Sequence, residues 1–127
     1  MNTPSSLIRV LEQQVSLEFS VLVGSRAINT AMPTSDWDIA LFWNPQLPWL
    51  ERVSLTETLR RQLANALGEN EAGIDLIDLA ETNLTMGAIV AEEGIPLTGE
   101  NSTAWARFLR RIWRELEDHY WETSHAA

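Results

Sequence analysis

The chain has 127 residues, 45% of them apolar, enough for one globular domain with one core and too few for two ordinary domains. It contains no cysteine and carries a net charge of −9, which excludes a disulfide scaffold and a cysteine-based zinc site and argues against a stand-alone binder of nucleic-acid backbones. With no apolar run of membrane-spanning length and no basic-then-apolar leader pattern, the expectation is a single cytoplasmic domain over residues 1–127.

In chain order, Thr3-Pro4 reads as an N-cap followed by the first helical position, opening a helix through about Gln13. Leu17 to Val23 (LEFSVLV) is a β-prone run that stops at Gly24. Residues 24–35 carry Gly, Asn, Pro, Thr and Ser and read as a connection. Asp36 to Trp43 (DWDIALFW) is predicted as a second strand, broken by Asn44-Pro45. Trp49 to Leu67 has Leu50, Val53, Leu59, Leu63, Ala66 and Leu67 at helical periods, with Gly68 as its stop. Ile74 to Leu79 (IDLIDL) is predicted as a third strand, Thr82 to Glu93 as a helix closed by Gly94, and Ile95 to Thr98 as a short extended piece. Ser102 or Thr103 caps the last helix. On it Trp105, Leu109, Ile112, Trp113, Leu116 and Tyr120 form one stripe, and Arg107, Arg110, Arg111 and Arg114 lie mostly off it.

The chemistry concentrates around Val21 to Leu41. On a strand, residues two apart share a face, so Asp36 and Asp38 project together with Trp37 opposite. Two unpaired carboxylates side by side repel, and a hard cation such as Mg²⁺ or Mn²⁺ relieves the repulsion by taking their oxygens. For an isolated D-x-D, a strand-start turn facing water is the commoner explanation. Gly24-Ser25 changes that balance: glycine permits a tight turn and a close backbone approach, and the turn's N–H groups with a Ser hydroxyl suit phosphate oxygens. If the first two strands are neighbours, the two features form one site for a metal-bound nucleoside triphosphate. A third carboxylate would come from Asp75 or Asp78, which lie three apart and so face opposite sides of their strand. Periodicity does not choose between them.

Gly24-Ser25, ten intervening residues and Asp36-Trp37-Asp38 resemble the G-S-x10-D-x-D signature of the DNA polymerase β-like nucleotidyltransferases. With IDLIDL following in so short a chain, the resemblance extends to the minimal nucleotidyltransferases, the MntA-type antitoxins of HEPN–MNT toxin–antitoxin pairs. It implies an α+β fold: a small mixed β-sheet with helices packed on one side, in two layers. It also implies site roles. Gly24, Ser25 and Arg26 of the G-S-R-A start would contact the nucleotide. Asp36 and Asp38 would hold the metal. A V-D-L-V-type match to Ile74-Asp75-Leu76-Ile77 makes Asp75 the third carboxylate, with Asp78 as the fallback. The chain departs from the family at Ile28-Asn29, where Arg-Gly is common; asparagine tolerates the left-handed backbone that glycine would supply.

The activity so implied is transfer of AMP from ATP to a tyrosine hydroxyl of a cognate HEPN RNase toxin, with Mg²⁺ or Mn²⁺ as cofactor and no direct role for nucleic acid or membrane. The acidic charge is compatible with docking on a basic toxin surface, and exposed members of the six tryptophans would serve as anchors. Two rivals stand beside this expectation. One is a small-molecule nucleotidyltransferase of the aminoglycoside-modifying kind, for which the chain has little room to build an acceptor domain. The other is a non-catalytic antitoxin that acts by contact alone, which has no need of the full residue set. His119 and His125 read as solvated, and the arginines of the last helix as its outer face paired with neighbouring acids.

Overall fold

A computed structural model describes residues 3–125. Helix α1 spans Ser5–Glu12, strand β1 Leu17–Val23, β2 Trp37–Trp43, α2 Trp49–Leu67, β3 Ile74–Asp78, α3 Leu84–Glu93, β4 Ile95–Thr98 and α4 Thr103–His125. Local chemistry sets the boundaries. Gly68 leaves α2 at φ 65°, the left-handed geometry that glycine adopts without cost. Asn83 caps α3 by accepting from the Met86 N–H, which starts that helix two residues later than its periodicity predicts. The Ser102 hydroxyl accepts from the Trp105 N–H at 3.1 Å and caps α4. The extended piece at 95–98 is a true strand, paired along β1.

The four strands form one mixed sheet in the order β3-β2-β1-β4. β1 pairs antiparallel with β2 and with β4, and β2 pairs parallel with β3. Every strand therefore brings one end to the same edge of the sheet: the C-terminus of β1 beside the N-termini of β2, β3 and β4.

The α+β class and the mixed sheet agree with the expectation. The one-sided packing of helices does not. Leu22, Trp37, Ile39, Leu41 and Ile74 pack against α1 and α2 on one face. Phe19, Val21, Val23, Ala40 and Leu79 pack against Val90 of α3 and Trp105, Phe108 and Ile112 of α4 on the other. The reason is written in the central strands. LEFSVLV, apart from Glu18 and Ser20, and WDIALFW, apart from Asp38, carry buried apolar residues at both odd and even positions, so each has two faces to cover. On the second face Phe19 stacks on Phe42 at 5.0 Å and meets Trp105 edge-on at 5.0 Å.

Candidate active site

β1 ends at Val23, and Val23 is paired with Asp38. The chain then turns through a single 3-10 turn, Gly24–Arg26, which Gly24 enters at φ 74°. A side chain there would be strained by the backbone, and its first carbon would collide with Oδ2 of Asp38. The turn thus lies directly on the Asp38 carboxylate. Glycine is required for the φ angle and for the close approach.

The connection that follows is laced down. The Ser25 carbonyl accepts from the Thr30 N–H at 3.0 Å, and Asn29 takes the left-handed conformation at φ 60°, as the departure from Arg-Gly predicts. Arg26 donates from Nε and Nη2 to the Ser35 carbonyl, at 3.2 and 2.7 Å, and lies 4.1 Å over the Trp37 ring. The family resemblance puts Arg26 at the nucleotide. Its guanidinium holds the loop and stacks over the Trp37 ring, and its charge still reaches Asp38, where it opposes the upward push on that carboxyl.

Asp38 and Asp75 are partners in the parallel β2–β3 register. Paired residues on parallel strands share a face, so the two carboxylates lie side by side. Burial raises the Asp38 carboxyl above its ordinary value, and the charges of Asp75 and Asp36 push it further, against a smaller opposing pull from Arg26. Asp36 lies just outside the strand, which begins at Trp37 rather than at Asp36, and it is exposed. Its link to Asp38 is one of charge rather than of strand alternation. Trp37 points away into the α1–α2 core, as predicted.

Asp75 and Asp78 have different neighbours in the tertiary structure. Asp78 accepts from Arg52 Nε at 3.0 Å and from the Ala80 N–H at 3.0 Å. Arg52 also reaches Glu81 at 2.7 Å and the Leu47 carbonyl at 3.0 Å. That clamp ties α2 to the far end of β3 and leaves Asp75 as the carboxylate beside Asp38. Arg52 was not singled out in the sequence, yet it had a signal: it falls seven residues before Leu59 and eleven before Leu63, on the buried stripe of α2.

Among the described residues, no three acidic or histidine side chains converge as a ready-made metal cage. The arrangement still fits a hard divalent ion. Mg²⁺ is commonly bound by one or two carboxylates while phosphates and water fill its other positions. Asp38 and Asp75 are such a pair, and their mutual repulsion is relieved by a cation.

Comparisons with known proteins give the family and the fold. The sequence profile of polymerase beta nucleotidyltransferases matches residues 5–103, and the chain belongs to that family. Its fold is that of the MntA-type chains of toxin–antitoxin complexes. One similar structure is a toxin–antitoxin with AMP-PNP: 24% identity, TM-score 0.71, covering 94% of this chain and 91% of the other. A mutant MntA–HpeT toxin–antitoxin is similar at 22% identity and TM-score 0.72, covering 97% and 94%. A third is the tri-AMPylated Shewanella oneidensis HEPN toxin in complex with MNT antitoxin, at 21% identity and TM-score 0.64, covering 94% and 88%. No curated protein matches the sequence. Among the described residues, no helix is long and apolar enough to cross a membrane.

Proposed function

We propose that this chain is an antitoxin of the cytoplasm that transfers AMP from ATP to a tyrosine hydroxyl of a HEPN-type toxin and so silences it. The observation that carries the reading is the Asp38–Asp75 register pair set against the Gly24–Ser25 turn at one edge of the sheet. The similar complexes, one with AMP-PNP and one with an AMPylated HEPN toxin, support the choice of nucleotide and acceptor.

In this reading Asp36, Asp38 and Asp75 hold Mg²⁺ or Mn²⁺, which when bound neutralises phosphate charge and polarises the reacting phosphorus. The backbone N–H groups of the Gly24 turn and the Ser25 hydroxyl orient the β- and γ-phosphates. The acceptor oxygen attacks the α-phosphorus, the bond from that phosphorus to the bridging oxygen breaks, and pyrophosphate leaves. The hydroxyl proton passes to the Asp75 carboxylate. Asp75 is exposed on β3, an edge strand, so a bulky protein acceptor has access to it.

The test is to mix the purified chain with ATP, Mg²⁺ and the protein encoded by the adjoining reading frame, and to take the intact mass of both. The expected result is one or more adenylyl groups on that protein, absent for Asp38→Asn and absent after chelation of divalent ions. Transfer only to small hydroxyl compounds would replace the protein acceptor with a small molecule. Neutralisation of the toxin by an inactive Asp36→Ala variant would make the chain a binder alone.

A further inference from the structure

The last helix is longer than the fold requires. Its buried residues are Trp105, Phe108 and Ile112, and Ile112 packs on Gly87 of α3. The helix then continues from Trp113 to His125, about 20 Å at the usual helical rise. The apolar stripe does not stop with the core. Trp113, Leu116 and Tyr120 continue it at i, i+3 and i+7, and Trp113 and Tyr120 are 43% and 75% exposed. With Glu92 at the end of α3, they line a groove of about 620 Å³. Trp121, 61% exposed, lies beside the stripe and stacks on His125.

The position of this groove matters. α3 ends at Gly94, which packs against Val21 on the face that carries Asp38, and Ile95 pairs with Leu22, two residues before Gly24. The overhang therefore begins on the face of the sheet that holds the carboxylates and beside the end of β1 that forms the site. Its surroundings are acidic. Glu92 and Glu117 line the groove itself and Glu93 follows at the end of α3, while Glu115, Asp118 and Glu122 lie on the far side of the helix and add to the negative field around it. Two copies of such a face would repel each other, whereas a basic surface would be drawn to it.

We propose that the Trp113–Leu116–Tyr120 face of α4 is the docking surface for the acceptor protein, a partner that presents apolar side chains within a lysine- and arginine-rich surface. The proposal rests on the transferase reading for its acceptor. Large apolar side chains spaced i, i+3, i+7 on one helix form a groove-and-anchor contact, and the acidic rim sets approach and orientation. Docking there holds the acceptor on the same face as Asp75.

The experiment is calorimetric titration of the full chain with the protein of the adjoining reading frame, for the wild type, W113A/Y120A, E117K/D118K and D38N, alongside intact-mass assay of transfer. The expected result is a loss of affinity of more than about tenfold in W113A/Y120A. E117K/D118K should bind more weakly, with a shallower dependence on salt. D38N should bind normally and transfer nothing. Circular dichroism and melting of the variants should match the wild type, since these residues lie beyond the core. Wild-type affinity in W113A/Y120A overturns the docking surface while leaving the transferase intact. Lost binding with no transfer by any variant upholds the surface and sinks the transferase. No complex with the wild type, or a wild-type dimer in sedimentation that W113A/Y120A dissolves, overturns the docking proposal.

Discussion

Asp38 concentrates the site's conflict between stability and function. Its carboxyl is held above the ordinary 3.8, first by burial and then by Asp75 and Asp36, so the folded chain disfavours its charged form. Stability is then lost as pH rises from 3.8 toward the raised value and stays lost above it. Asp38→Asn removes that loss. Melting curves without divalent ions should show the variant more stable than the wild type at neutral pH, with the difference vanishing as pH falls below 3.8. The same variant should transfer no AMP. Gly24→Ala should have the opposite balance. It forces a side chain into φ 74° and against the Asp38 carboxylate, so stability should fall by roughly 1–2 kcal/mol. Turnover in the transfer assay should fall about a hundredfold, because the Gly24–Ser25 turn and the carboxylate can no longer close together.

At the scale of the element, two side chains decide how helices meet the sheet. Arg52 joins α2 to Asp78 at the end of β3 and to Glu81 just beyond it. Arg52→Met keeps the stem but leaves Asp78 half-buried without its cation, so the melting temperature should fall clearly. Arg52→Asp would add a further like charge beside Asp78 and should lower it more. Because Asp78 lies on the α2 face and not beside Asp38, Arg52→Met should leave transfer by the folded protein near wild type. Gly87 lets α3 approach α4 closely, against Ile112. Gly87→Val should push the two helices apart and cost about 1–3 kcal/mol in chemical denaturation.

For the whole molecule, one sheet serves two cores, so the cores should not melt separately. Phe19→Ala empties part of the α3–α4 side and Leu59→Ala part of the α1–α2 side, both at fully buried positions. Each should cost about 3–5 kcal/mol, and each should shift one common transition seen by fluorescence and circular dichroism alike. Two resolved transitions in either variant would show that the faces fold independently. The charge of −9 also acts at this scale, favouring a basic partner and making its association slow as salt is raised.

How much of this was legible without coordinates varies with the range of the interaction involved. Glycine and asparagine at sites of positive φ, the breaks at Pro45 and Gly68, and the period of each helix are local, and they gave nearly every element its limits. The spacing of Gly24-Ser25 and Asp36-Trp37-Asp38 likewise carried the site's outline, since each pair depends on a turn or a few bonds. What needed the tertiary structure depended on pairings between distant segments. The parallel register set Asp75 beside Asp38, and Arg52, from helix α2, paired with Asp78. Arg26 found its partners in Trp37 and Ser35 only once the loop had closed. The continuous apolar runs of β1 and β2 were visible, but only packing decided that helices cover both faces and that the stripe of α4 outlasts its core. A sequence dictates which groups are able to interact; which of the able groups meet is decided by strand register and helix placement, because these alone bring remote residues within a few ångströms.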